Sequence, residues 1–251
     1  MTTWLFLRGL TRESRHWGDF PEMFRREVSG AQVYTPDLPG NGALNMQRSP
    51  LHVEEMMEDC RAQLIGQGVP PPYHLLAMSL GAMVAVAWAA RYPDEILGCV
   101  LINTSLRPYS PFYRRLKPGN YPRLLKLALL GGSEQAWEST ILEITSRHVK
   151  QPAAALENWI AYRRERPVSA RNAFHQLLAA LRYRAPANRL AVPVLVLMSR
   201  QDALVDVSCS RQLAQRWNAV FSEHPTAGHD LPLDDGAWVI SKVKHWLQPQ
   251  P

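Results

Sequence analysis

Three residues of this chain have the types and sequence settings that nucleophilic catalysis requires. Ser79 lies in the segment Ala77-Met-Ser-Leu-Gly81, where an apolar run gives way to a helix-like run. Asp202 and His229 each follow a later apolar run. A serine hydroxyl is a poor nucleophile near neutral pH, so it needs a histidine base and a carboxylate that orients the histidine. We expect these side chains to act together as nucleophile, acid and base.

The setting of Ser79 is a predicted strand that turns directly into a predicted helix. Such a turn strains its middle residue and requires small residues two positions away on either side, here Ala77 and Gly81. It lifts the hydroxyl over the sheet edge and places the next amide at a helix N-terminus, where the amide can stabilise an anion. The alternative is that Ser79 is an ordinary helix N-cap. The short motif arises often by chance, and its strand–turn–helix context favours the nucleophile.

The acid and the base each have competitors. Asp202 comes soon after its strand, whereas Asp206 could cap a helix that starts near Val207. His229 is one of eight histidines and follows Gly228 in the loop between the last predicted strand and the last predicted helix. The other seven lie on predicted helices or strands or in a distant loop. No His-Glu-x-x-His motif or other metal-ligand spacing is visible, and we expect neither metal nor cofactor.

These residues are set in an alternation of strands and helices. Such alternation predicts a mostly parallel, doubly wound α/β sheet whose ligands bind at the carboxyl ends of the strands. The predicted strands are 3–7, 32–35, 73–78, 96–103, 192–198 and 220–224. The predicted helices of this part are 15–28, 53–65, 80–91, 208–217 and 235–247.

One segment, residues 107–189, breaks the alternation. It contains no clear strand, and its four helical stretches lie near 120–130, 133–148, 153–165 and 169–183. Because strands flank it on both sides, we interpret it as a helical cap, or lid, inserted before the strand that carries Asp202. Residues 1–106 and 190–251 would then form the core.

Taken together, these residues resemble the α/β-hydrolase superfamily. The order Ser79, Asp202, His229 is the superfamily's order of nucleophile, acid and histidine, and Asp37-Leu-Pro-Gly-Asn-Gly42 is similar to its D-x-P-G-x-G loop. The resemblance implies an oxyanion hole formed by the amides of Leu10 and Leu80.

Arg8 departs from the superfamily pattern. It stands where the superfamily usually has histidine, in a His-Gly-x motif that is Arg8-Gly9-Leu10 in this sequence. Two interpretations stay open. Arg8 could add a positive charge near the site, or it could point away and pair with a carboxylate.

Charge and composition limit the partners. The chain has 251 residues and a formal net charge of +6. The basicity is concentrated in residues 107–189, which hold 15 Lys/Arg against 5 Asp/Glu. A solvated basic face and a dock for an acidic partner are both open interpretations. No nucleic-acid-binding signature, membrane span or signal peptide is visible, and we expect a cytoplasmic protein.

The resemblance implies a carboxylic ester hydrolase that cleaves a small-molecule acyl ester through an acyl-enzyme. The esterases that act on pimeloyl-carrier-protein methyl esters have a similar fold and a basic cap, which by analogy suggests an acidic carrier protein as partner. Two alternatives remain: a C–C hydrolase or lyase that uses the same triad on an acidic small molecule, and a non-catalytic binding protein on the same fold.

Overall fold

A parallel β-sheet forms the centre of the molecule. The computed structural model describes the backbone of residues 1–248 and the side chains of these residues other than 128–130. Within them, six strands lie in the order β2-β1-β3-β4-β5-β6 and every adjacent pair is parallel. The strands are β1 (Thr2–Leu7), β2 (Ala31–Tyr34), β3 (Tyr73–Met78), β4 (Ile96–Ile102), β5 (Val194–Ser199) and β6 (Val220–His224). The predicted doubly wound parallel sheet is confirmed.

The central strands are apolar on both faces because helices cover both faces. All six residues of β5 are buried, as are all but one residue of β3 and of β4. One face packs against three helices, α2 (Val53–Gly66), α3 (Leu80–Arg91) and α9 (Val207–Trp217). The other packs against α1 (Phe20–Glu27) and α10 (Leu231–Leu247). Burial of this apolar surface is the main stabilising contribution to the fold.

The order of the strands creates a switch point between β1 and β3. From β1 the chain moves outward to β2, then returns to the other side of β1 as β3 and continues in one direction to β6. The loops after β1 and β3 therefore leave the sheet in opposite directions and open a crevice at its carboxyl edge. Gly9 follows β1 and Ser79 follows β3, so this crevice contains the predicted nucleophile.

The segment between β4 and β5 is helical, as predicted. We call residues 107–189 the cap. Its described α-helices are α4 (Phe112–Arg115), α5 (Tyr121–Leu130), α6 (Glu134–Thr145), α7 (Pro152–Glu165) and α8 (Ala170–Arg182). Ser133 and Ser169 cap the N-termini of α6 and α8 by accepting hydrogen bonds from backbone amides. Of these helices, α4 was not predicted.

Two predicted helices differ from the structure. The predicted helix over 15–28 is divided into a 3₁₀ turn, Ser14–Trp17, and helix α1. Gly18 lies between them at φ 53°, a left-handed conformation that interrupts a helix. The last helix starts at Leu231 rather than at 235, and it is kinked at Asp235, which has non-helical φ and ψ. Apolar periodicity does not detect either interruption.

Among the described residues, none of the helices is both long enough and apolar enough to cross a bilayer.

Candidate active site

Ser79 occupies a strained turn between β3 and α3. Its φ is 53° and its ψ is −118°, a conformation that is rare for a residue with a side chain. A side chain at Gly81 would overlap the backbone of the β1 loop, since an added Cβ would lie 2.6 Å from the carbonyl oxygen of Arg8. An added Cβ at Gly9 would lie 3.2 Å from the Cβ of Ser79. The loop after β1 therefore packs directly against the serine turn, and this close approach requires glycine at position 81.

Neighbouring strand β4 fixes the backbone of the turn. The Ser79 amide donates to the carbonyl of Ile102 at 3.1 Å, and the Thr104 hydroxyl donates to the carbonyl of Ser79 at 3.1 Å. Strain of this kind persists only where the surroundings hold it. The last residue of β4 and the segment after it supply that restraint.

The predicted acid and base are hydrogen-bonded to each other. Asp202 Oδ2 lies 2.7 Å from His229 Nδ1, and both side chains are buried. The other carboxylate oxygen of Asp202 accepts the amides of Leu204 and Val205. A carboxylate in this position makes Nδ1 the protonated nitrogen and leaves Nε2 as the basic one. Asp206, the competitor, instead caps α9 by accepting from the amide of Ser208.

Asn103 connects the histidine loop to the serine turn. Its side-chain amide donates to the carbonyl of His229 at 2.8 Å and to the Ser199 hydroxyl at 3.0 Å. Asn103 directly follows Ile102, whose carbonyl holds Ser79. No hydrogen bond joins the Ser79 hydroxyl to His229 within residues 1–248, and such bonds are often long until substrate binds. The structure thus assembles the three loops at one sheet edge and shows the Asp202–His229 bond directly.

The two amides predicted for the oxyanion hole are those of Leu10, in the loop after β1, and of Leu80, directly after the serine turn. In the part of the chain that is described, neither Leu10 nor Leu80 donates its N–H to a protein acceptor. Leu80 begins α3, where amides have no acceptor within the helix. Leu10 precedes Thr11, a residue at φ 56° whose amide donates to Gln176 Oε1 on cap helix α8 at 2.8 Å. The loop that carries Leu10 is therefore held by the cap.

Arg8 pairs with a buried carboxylate that adjoins the predicted base in sequence. Its guanidinium donates to both oxygens of Asp230, at 3.2 and 2.6 Å, and lies over the ring of Trp17. Both members of the pair are buried. The structure therefore contains the ion pair that one of the two interpretations requires. It joins the loop after β1 to the residue next to His229.

A second buried carboxylate connects the loop after β1 to the cap. Glu138 on α6 accepts from Arg12 at 2.6 Å and from Arg163 at 3.2 Å. Burial lowers the pKa of the Arg12 guanidinium, and Glu138 opposes this shift. Arg12 Nη1 also lies 3.0 Å from His16 Nε2. Burial lowers the pKa of His16 well below its usual value, and the charge of Arg12 lowers it further. This cluster holds the cap over the loop that contains Leu10.

Sequence reasoning did not identify Asp230, Asn103, Gln176 or Glu138. Asp230 had a signal, because a buried arginine beside a predicted active site needs a nearby carboxylate. Gln176 and Glu138 had none, because no residue in the sequence marks a need for a partner on cap helices 165 and 126 residues away. Among residues 1–248, no group of three His, Cys, Asp or Glu side chains is arranged to hold a metal ion.

Comparisons with known proteins show the family and agree with the fold. The sequence profile described as "Alpha/beta hydrolase family" matches residues 4–242. A pimeloyl-[acyl-carrier protein] methyl ester esterase from Chromobacterium violaceum is 29% identical over 221 residues, which are 85% of this chain and 83% of that protein. A monoacylglycerol lipase from Mycolicibacterium smegmatis is 26% identical over 92% of this chain and 86% of its own.

A solved structure is similar over nearly the whole chain. The enol-lactonase from Burkholderia xenovorans superposes with a TM-score of 0.75 and 20% identity, covering 98% of this chain and 91% of its own. At that identity the likeness shows the fold alone.

Proposed function

This chain belongs to the alpha/beta hydrolase family, and on that premise we propose that it is a carboxylic ester hydrolase with Ser79 as nucleophile, His229 as base and Asp202 as acid. The observation that carries the proposal is the 2.7 Å bond between Asp202 and His229 at the sheet edge where Ser79 occupies its strained turn. The esterase and lipase names of the relatives above support the same reaction class.

The proposed mechanism is acyl transfer in two steps. His229 Nε2 takes the proton of Ser79 as the oxygen attacks the ester carbonyl, and Asp202 stabilises the imidazolium through Nδ1. The amides of Leu10 and Leu80 donate to the oxyanion of the tetrahedral intermediate. Collapse of the intermediate expels the alcohol, which takes the proton from His229. Water then attacks the acyl-enzyme with His229 again as base, releases the acid and restores Ser79.

Gln176 has a positioning role in this mechanism. Its Oε1 accepts the Thr11 amide, and its side-chain NH₂ donates to Asn41 and Ser49 at 2.8 and 3.0 Å. Because Thr11 follows Leu10 and lies in a strained conformation, these bonds fix the direction of the Leu10 amide. A donor displaced from the oxyanion stabilises it less, so the cap contributes to catalysis through Gln176.

A short-chain p-nitrophenyl ester assay tests the proposed reaction. Wild type should hydrolyse the ester, and Ser79→Ala should lose about 10⁴-fold or more in kcat. Ser241→Ala, which alters an exposed serine on α10, should retain wild-type turnover.

Failure of the ester assay would favour one of the two alternatives. Labelling of the wild type by a fluorophosphonate without ester turnover would favour the C–C hydrolase or lyase. A folded wild type with neither turnover nor labelling would favour the non-catalytic binding protein.

We also propose an acidic carrier protein as the vehicle of the substrate. The excess of basic residues in the cap supports this, as does the substrate named for the Chromobacterium violaceum relative. Not every cap arginine is available, because Arg163 pairs with buried Glu138 and Arg164 pairs with Glu134. Arg171 is exposed and forms no ion pair among the described residues.

Charge reversal at Arg171 tests the carrier. The variant Arg171→Glu should raise KM for a carrier-linked methyl ester and weaken its dependence on salt, because exposed charges mainly steer association. Its KM for the same acyl methyl ester without carrier should be unchanged. Equal KM values for the carrier-linked ester in wild type and variant would refute docking on this face.

A further inference from the structure

A second concave site lies at the base of the cap, where its two connections to the core run side by side. Arg107 and Arg184 pair there as a one-residue parallel bridge, and the Ala185 amide donates to the carbonyl of Arg107 at 2.7 Å. A pocket of about 590 Å³ opens beside this bridge. We call it the stem pocket. The mechanism above does not use it.

Three arginines line the stem pocket, and no carboxylate of residues 1–248 lines it. They are Arg107, Arg115 and Arg184. Arg107 and Arg115 donate to the backbone carbonyls of Leu181 and Ala180. Within residues 1–248, none of the three arginines forms an ion pair. Burial lowers the pKa of the Arg115 guanidinium, and the charge of Arg107 lowers it further, so the positive charges repel one another. The pocket therefore carries about three uncompensated positive charges.

Two polar groups in the stem pocket are buried and have no hydrogen-bond partner in the described part of the chain. They are the Ser110 hydroxyl and the Arg115 Nε–H. Ser110 is only 3% exposed and lines the pocket. The Cys209 thiol lies beside it, but a thiol is a weak hydrogen-bond partner. Unsatisfied buried donors are rare, and each one calls for an explanation such as an absent ligand.

An apolar wall completes the stem pocket. Phe112 and Leu181 line it and are 67% and 43% exposed, so their apolar surface is accessible to a ligand. Guanidinium and apolar groups that line one pocket fit a ligand with an anionic head and a short apolar body. We propose that the stem pocket binds a phosphate monoester that carries a small apolar group.

The number of donors favours phosphate over carboxylate. A carboxylate offers two oxygens and one negative charge, whereas a phosphate monoester offers three terminal oxygens and close to two charges above pH 6. Arginine forks match these oxygens in pairs. Arg184, whose side chain makes no hydrogen bond to a described residue, is free to turn toward such a head group, and the Ser110 hydroxyl can donate to the same group.

Calorimetric titration with phenyl phosphate, inorganic phosphate and benzoate at pH 7.5 and physiological salt tests the proposal. Phenyl phosphate should bind saturably and more tightly than either of the other two probes. Arg184→Gln should weaken it about tenfold or more, since hydrogen bonds to charged groups are strong. Ser110→Ala should weaken it about two- to tenfold. Binding of phenyl phosphate should also weaken below pH 6, as the phosphate takes up its second proton.

The matched control is Arg182→Gln, which removes the same charge from an exposed residue that does not line the pocket. Its affinity for phenyl phosphate should equal that of wild type. Equal weakening by Arg182→Gln and Arg184→Gln would overturn the proposal, because it would indicate diffuse attraction to the basic cap. Benzoate binding as tightly as phenyl phosphate would overturn it as well, as would the absence of saturable binding to a folded protein. Since no turnover is measured, failure here leaves the proposed esterase activity unaffected.

Discussion

Two regions of this molecule differ in how their charged side chains are partnered. At the catalytic edge of the sheet and its contact with the cap, three buried carboxylates each face a partner: Asp202 faces His229, Asp230 faces Arg8 and Glu138 faces Arg12. Removing a charge from water costs free energy that only a well-placed partner offsets, and the first region supplies such partners. In the stem pocket, three arginines line a concave surface to which residues 1–248 contribute no carboxylate. Arg107 and Arg184 are exposed there, so water solvates them and a ligand can reach them.

The largest effect is expected from removing the negative charge next to the catalytic base. Asp202→Asn should lower kcat by about 10⁴-fold, because an amide can hold the imidazole in the wrong tautomer. Steady-state ester hydrolysis measures this. Asp206→Asn makes the same change at the cap of α9 and should retain wild-type kcat, since asparagine also caps helices well. Similar losses in the two variants would remove the distinction between a catalytic and a structural carboxylate.

Next in size is the stability cost of leaving Arg8 buried without its partner. Asp230→Ala should lower the free energy of unfolding by about 3–5 kcal/mol, measured by urea denaturation. The double variant Arg8→Met/Asp230→Ala should recover part of this loss, because no uncompensated charge remains. The exposed pair Arg123–Glu143 is the control, and Glu143→Ala there should cost less than about 1 kcal/mol. If Asp230→Ala lost no more unfolding free energy than Glu143→Ala, burial of the Arg8–Asp230 pair would not matter for stability.

A smaller effect concerns the pH dependence of stability. Burial lowers the pKa of His16, and the neighbouring arginines Arg12, Arg8 and Arg15 lower it further. The unfolded chain therefore binds the proton first, and stability is lost as the pH falls below the unfolded value of about 6.5, by at most about 1.4 kcal/mol per pH unit for one proton.

Denaturation of His16→Gln across that pH range measures the His16 contribution. The variant should show a flatter profile than wild type. His245→Gln, on an exposed part of α10, should follow wild type. If the free energy of unfolding of His16→Gln fell with pH as steeply as that of wild type, His16 would not be the group responsible for the pH dependence.

The smallest effect is expected in the stem pocket. Without ligand, Arg184→Gln should change the free energy of unfolding by less than about 0.5 kcal/mol, because Arg184 is exposed and forms no ion pair among the described residues. Arg182→Gln should be equally mild. A loss of several kcal/mol at Arg184 would mean that it has a structural partner, and the contrast between the two regions would fail.

Much of this architecture could be predicted from the sequence. The apolar runs before Ser79 and Asp202 are buried on both faces, so they indicate parallel strands without knowledge of their neighbours. Parallel strands bring their carboxyl ends to one edge, and the 2.7 Å bond between Asp202 and His229 follows from that rule. Asp206 could be set aside because helix capping accounts for it.

The remaining features depend on pairing across long stretches of chain. Arg8 and Asp230 are 222 residues apart, and Arg12 and Glu138 are 126 apart. No local pattern encodes such pairs. The same holds for the cap arginines, since only the fold shows that Arg163 is bound to Glu138 while Arg184 has no carboxylate. The Arg-Gly dipeptide after β1 suggested a carboxylate partner without indicating which residue supplies it.

The most direct test of the central claim is to map the adduct formed by a fluorophosphonate on the folded, full-length protein. Peptide mass spectrometry should locate a single phosphonyl group on Ser79. Labelling should be lost in Ser79→Ala and strongly slowed in His229→Ala, while Ser241→Ala should be labelled at the wild-type rate. An adduct on another residue, or labelling that does not depend on His229, would contradict the assignment of Ser79 and His229 as nucleophile and base.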